Sequence, residues 1–154
     1  MRLALAAFAL LTSMTALADT PIQPVVRWTL LDQHEQAYTL DDKAQVLLVA
    51  RSMSAARMVN AAFEEQAPGY LEARQVIYVA DIEMMPSLMK PVIIPAMRSA
   101  KYRILLDQDG RVAARYAGDR DSVQWLKLDK GVVTQEKHFT DAEGLGKAVA
   151  ELAR

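Results

Sequence analysis

The chain contains no cysteine. Dithiol–disulfide exchange, thiol peroxidase chemistry and zinc–thiolate sites each require a thiolate, so none of them is available to it. A lipid anchor built on an N-terminal cysteine is excluded on the same ground. An exported domain of this size can use disulfides, and this one uses none. Histidine is almost as scarce: His34 lies in a predicted turn near the start and His138 near the last predicted helix. A nucleophilic serine needs an adjacent base, and neither imidazole is expected to reach Ser52 or Ser54, so no catalytic residue is assigned. A basic excess is missing too, with 18 Lys and Arg against 19 Asp and Glu. Phosphate-binding surfaces show clustered cations on a basic background. The nearest approach is Arg111 and Arg115 on a predicted strand, so no nucleic-acid partner is expected. There is no internal repeat and no low-complexity segment.

Long apolar runs are confined to the beginning. Met1-Arg2 precedes Leu3–Leu11, an apolar stretch that breaks up at Thr12-Ser13, and Ala16-Leu17-Ala18 places small residues where a signal peptidase reads. A bilayer span needs about 20 apolar residues, and this run is shorter. The expectation is a signal peptide over residues 1–18, cleavage before Asp19, and a periplasmic or secreted chain with no transmembrane anchor. Residues 19–154 then form a single domain. Loss of Arg2 takes the formal charge from -1 to -2.

Asp19 to Val26, with two prolines, reads as an extended lead-in. Arg27–Leu31 and Ala37–Leu40 read as short strands around a polar turn, with Trp28 and Tyr38 packed under the sheet. Val46-Leu47-Leu48-Val49-Ala50 is a short apolar run that meets Ser52 and Ser54, and then a segment with apolar residues at helical spacing, Ala55, Val59, Ala62 and Phe63. This predicts a buried strand turning directly into a helix, with Ser54 as N-cap. The helix should stop near Pro68-Gly69. Val76–Ala80 supplies a second buried strand, and a strand–helix–strand unit of this kind is parallel and right-handed. Between Asp81 and Ala100, Pro86, Pro91 and Pro95 interrupt a methionine-rich apolar stretch, which predicts one or two broken helical segments. Asp107-Gln108-Asp109-Gly110 between Tyr102–Leu106 and Arg111–Tyr116 carries a hairpin signal. A calcium loop is ruled out there, because Leu105 and Tyr116 would occupy positions that require carboxylates. Asp129-Lys130-Gly131 predicts a turn between strands Val123–Leu128 and Val132–Lys137. Thr140-Asp141-Ala142-Glu143 fits a capping box, and Leu145, Val149 and Leu152 lie along one face of a terminal helix.

Three features, Trp28–Asp32 leading, the strand–turn–helix from Val46, and Leu105–Val112 late in the chain, together resemble the exported thioredoxin-like proteins of the peroxiredoxin and cytochrome-maturation type. The resemblance covers most of residues 19–154. It implies an α/β fold, a three-layer α/β/α sandwich with a mixed central sheet. In that family a Cys-x-x-Cys follows the central strand, and the matching residues here are Met53-Ser54-Ala55-Ala56. The family's cis-proline before the late hairpin strand falls on Lys101 or Tyr102. Both hallmarks are missing, so the resemblance implies a cysteine-free relative without the family's thiol activity.

In an open α/β sheet, ligands bind beyond the carboxyl ends of the parallel strands. The candidate binding residues are therefore Arg51, Ser52, Met53, Ser54, Arg57 and Asp81, with Lys101 and Tyr102 brought in by the resemblance. Met84, Met85, Met89 and Met97 form a candidate partner surface, since methionine is an adaptable component of promiscuous binding faces. The leading expectation is a non-redox domain that binds a protein or peptide of the cell envelope. The alternative is a small-ligand or soft-metal protein, with thioethers suited to Cu(I). No cofactor and no conventional metal-ligand set are assigned.

Overall fold

The computed structural model describes residues 27–153. The leader and lead-in expected before Arg27 lie outside the described residues. A hairpin of β1 (Thr29–Leu31) and β2 (Ala37–Thr39) comes first, followed by β3 (Val46–Ala50), α1 (Met53–Phe63), the short α2 (Tyr70–Ala73) and β4 (Val76–Asp81). Then come α3 (Lys90–Met97), β5 (Leu105–Asp107), a one-turn 3-10 helix (Ala113–Arg115), β6 (Val123–Asp129), β7 (Val132–Phe139) and α4 (Ala142–Ala150). The main sheet has the order β5-β4-β3-β6-β7. β4 runs parallel to β3 and β5 parallel to β4, while β6 and β7 are antiparallel, so the sheet is mixed.

The central position of β3 follows from its composition. All five of its residues are buried, as expected of a continuous apolar run covered on both faces. The two-residue period of a strand then sends side chains to opposite layers. Val46, Leu48 and Ala50 join Tyr78 and Trp125 against Ala55, Val59 and Phe63 of α1 and Leu145 and Val149 of α4. Leu47 and Val49 join Ile77 and Leu126 against Trp28, Leu30 and Leu40 of the hairpin and Val112 and Ala113 of the 3-10 turn. One outer layer is therefore helical and the other is built from the hairpin and a single turn of helix. Each fully buried Leu, Val or Phe contributes about 1.5–3 kcal/mol.

Local chemistry departs from expectation at four places. The stretch after Leu106 is not a hairpin. Leu105–Asp107 pairs in parallel with β4 at the sheet edge, and the buried Asp107 Oδ2 accepts from the Val112 and Ala113 N–H groups at 3.0 and 2.7 Å. Those two bonds wind the chain into the 3-10 turn, with Gly110 at φ +69°. The N-cap of α1 is Ser52 rather than Ser54, because Ser52 has extended backbone and its hydroxyl accepts from the Ala55 N–H at 3.1 Å. Asp141, not Thr140, caps α4, its carboxylate accepting from the Gly144 N–H at 2.6 Å. The late hairpin is β6–β7, closed by Lys130 and Gly131 at φ +50° and +82°, so the residues that precede it are Arg120–Ser122 and not Lys101 or Tyr102. The left-handed pair is what a two-residue hairpin loop requires. Every peptide bond among the described residues is trans.

Candidate binding site at the strand ends

β3 ends at Ala50, beside Ala80 of β4, which runs one residue further to Asp81, and from there the two chains diverge. After β3 the backbone turns at Arg51-Ser52 into α1, and after β4 it runs through the methionine-rich stretch into α3. The space between is a hollow of about 340 Å³. Its walls include Ser52, Met53 and Asp81 from the strand-end group and Met84, Met85, Met89 and Met97 from the methionine group. Two sets of residues proposed separately from the sequence thus meet at one place. A second hollow of about 480 Å³ adjoins it, sharing Met53, Ala56, Ile93 and Met97 and continuing to Arg57, Asn60, Glu64, Lys101 and Tyr102.

The polar residues divide by what they already hold. Arg51 touches the first hollow, and one of its terminal nitrogens is committed elsewhere: Nη2 donates to the carbonyls of Ala113, at 3.1 Å, and Tyr116, while Nη1 is buried without a partner among the described residues. Burial lowers its pKa, while Asp81, Asp119, Glu136 and Asp107 act in the opposite sense. Its role in this geometry is to hold the 3-10 turn on the sheet. Ser52 is likewise occupied as a cap, and its hydroxyl also donates to the Arg120 carbonyl and meets Ser54 Oγ at 3.1 Å. Asp81 Oδ1 accepts from the Glu83 N–H at 3.0 Å. Tyr102 is buried, and its hydroxyl donates to Asn60 Oδ1 at 3.0 Å. Burial, with a smaller contribution from Glu64, pushes the Tyr102 pKa up to about 12, so it remains a neutral donor. Arg57 and Lys101 are exposed and line the second hollow.

The methionines divide too. Met85 and Met97 pack partly against the core, whereas Met53, Met84 and Met89 stand 47%, 71% and 46% exposed. Leu88 and Val92, beside them in sequence, are 90% and 68% exposed, and α3 buries no residue at all. Pro91 sits in the first turn of α3, where its missing N–H costs nothing, and Pro95 inside the helix removes one backbone hydrogen bond.

Sequence reasoning missed Arg120, which reaches Ser52 only because β6 returns antiparallel to β3. It also missed Asn60, although Met53, Arg57, Asn60 and Glu64 recur at helical spacing on one stripe of α1. His138 does meet a serine, but a different one. Its ring lies 3.3 Å from Ser122 Oγ, 3.1 Å from Glu136 and 3.8 Å from Asp119. Ser122 is 4% exposed and its hydroxyl donates to Asp119 at 2.8 Å, so that trio offers no accessible nucleophile. Among the described residues no group of three or more His, Asp or Glu is placed to hold a metal, and no helix is long and apolar enough to cross a membrane.

No protein-family model matches the chain, and no curated protein does. Solved structures do match. StoA from Bacillus subtilis superposes with a TM-score of 0.56 at 14% identity, covering 82% of this chain and 98% of that one. Peroxidoxin BcpB from Mycobacterium tuberculosis gives 0.52 at 17% identity, covering 82% and 91%. A putative protein disulfide isomerase from Bacteroides thetaiotaomicron gives 0.52 at 15%, covering 82% and 84%. Likeness at these identities defines the architecture, so the chain has the thioredoxin-like fold. It is a version of that fold with no cysteine, in which Met53 and Ala56 occupy the first turn of the helix after the central strand.

Proposed function

We propose that this chain is an exported domain that captures a polypeptide segment of a cell-envelope protein, using the thioredoxin-like scaffold without thiol chemistry. One observation carries the reading. Of the eight large apolar residues exposed among the described residues, Met53, Met84 and Met89 line the methionine hollow, and Leu88 and Val92 lie close to Met89 in sequence, just before and at the start of α3. Concentrated apolar exposure of that kind marks an interaction surface, and flexible thioethers re-pack around varied partners. A photo-crosslinking residue placed at Met89 should give a discrete adduct in cells of the native organism, lost in a Met84→Ser background. The same residue at Val132, also exposed but on β7, should give none. Identical adducts from both positions would sink the reading.

A second reading, soft-metal binding, draws on the five methionines that line one hollow. Thioethers favour Cu(I) and bind without losing a proton. Anaerobic titration of Cu(I) against a competing chelator tests it. Binding no tighter than that of a Met53→Ser/Met84→Ser/Met89→Ser variant removes it.

A further inference from the structure

The two hollows are one groove, and its walls say what kind of segment fits. Along α1, Met53, Arg57, Asn60 and Glu64 form the stripe that faces the groove, while Ala55, Val59 and Phe63 form the stripe buried against the sheet. Ile93 and Met97, one turn apart on α3, form the opposite wall and are shared by both hollows. At a rise of ~1.5 Å per residue, the α1 wall from Met53 to Glu64 is about 16 Å long. That length accommodates about five residues of extended chain at ~3.3 Å each.

The groove carries two carboxylates, Glu64 and Asp81, and its cations include Arg57 and Lys101; these four differ in what they already contact. Asn60 Nδ2 donates to Glu64 Oε2 at 2.9 Å, and Asn60 Oδ1 accepts from the Tyr102 hydroxyl, which closes that polar chain internally. Asp81 is engaged by the Glu83 N–H. Arg57 and Lys101 have no such partner: among the described residues neither side chain makes a hydrogen bond or an ion pair, and both are exposed. The apolar end of the groove at Met53 is followed one helical turn later by Arg57, a rise of about 6 Å, or about two residues of extended chain.

Resting on the capture reading above, we infer that the captured segment is apolar with an acidic flank: one or two apolar side chains enter the methionine hollow, and a carboxylate about two residues along meets Arg57 and Lys101. The occupant is a polypeptide of that chemistry and not a basic one.

Two fluorescein-labelled octapeptides test this, identical in two adjacent apolar anchors, leucine and methionine, and differing only in whether two glutamates or two lysines flank them. Fluorescence anisotropy at low salt should show the acidic probe binding ~5- to 10-fold more tightly, the scale expected of two exposed ion pairs. In the Arg57→Glu/Lys101→Glu variant the order should invert, with the thermal midpoint within a few degrees of the parent. Equal affinity for the two probes, or a preference untouched by the reversal, overturns the inference; if the Met89 adduct still forms, the capture reading survives that result. Failure of both probes to bind also overturns it, and failure of the adduct as well takes the capture reading down with it.

Discussion

Val46–Phe63 and Ile82–Ala100 are similar in length and both rich in apolar residues, yet they have opposite fates. In the first, all of β3 is buried and α1 divides into a buried stripe and an exposed one, capped by Ser52. In the second, α3 is apolar nearly all round and buries nothing completely. The difference lies in periodicity and backbone freedom. α1 carries Ala55, Val59 and Phe63 at the spacing that turns one face to the sheet, and an N-cap that fixes where the helix starts. In α3, Val92, Ile93 and Ile94 point around the whole helix, so no single face can satisfy them. Pro91 and Pro95 both lack an N–H, and Pro95, inside the helix, also removes one i→i−4 hydrogen bond. Apolar composition alone therefore does not decide burial. The first region is the scaffold, and the second is the surface the scaffold holds out.

The largest expected effect sharpens that contrast from the scaffold side. Phe63 is 1% exposed and packs with Tyr70 and Tyr102 at ring-centroid distances of 6.2 and 6.4 Å. Phe63→Ala should lower unfolding free energy by about 3–5 kcal/mol, because the cavity it leaves lies between rigid elements. Denaturant titration measures this. A loss below ~1 kcal/mol would mean that α1 is held as loosely as α3, and the contrast would collapse.

A smaller effect, set by pH, comes from the opposite layer. Burial raises the Asp107 pKa above its ordinary value, opposed by the hydrogen bonds from Ala113 and Val112 and assisted by Asp81 and Asp109. A carboxyl whose pKa is raised on folding stabilises most when protonated. The contribution of Asp107 is thus complete below the unfolded value, near pH 4, and is lost as pH rises through the folded one. Asp107→Asn keeps an oxygen acceptor for the two N–H groups and cannot titrate. Comparing the two proteins from about pH 4 to 7, the parent should lose stability relative to the variant as pH increases. A parent that gains instead would reverse the sign and imply an unrecognised cation beside Asp107.

The same two regions show how far the sequence could be read. Val46–Ala50 and Asp129-Lys130-Gly131 were legible because the information is local: an unbroken apolar run, and a turn that needs left-handed residues. Asp107–Gly110 misled for an equally local reason. Its hairpin signal is real, but a buried carboxylate gives the backbone a competing set of acceptors, and the choice between them depends on β4 lying alongside. Lys101 and Tyr102 were aligned with the residue before the late hairpin strand on a resemblance, whereas the late antiparallel pair is β6–β7; Tyr102 instead packs against Phe63 and lines the second hollow. The meeting of Met53 with Met84 and Met89 was not legible at all. It depends on where a proline-interrupted segment settles, and the methionine content announces the chemistry without its address.

The smallest expected effect is the most direct test of α3. Leu88 and Val92 are 90% and 68% exposed, four residues apart, just before and just inside the helix. Replacing both with serine removes apolar surface that is already in water, so the unfolding free energy should change by less than about 0.5 kcal/mol. The surface itself should change, because the area available to an apolar dye shrinks when two such side chains are lost. Dye fluorescence should therefore fall while the melting temperature stays still. The reverse result, a marked loss of stability with unchanged dye binding, would mean that both residues are covered in solution. α3 would then be packed like α1, and the surface on which capture depends would be part of the core.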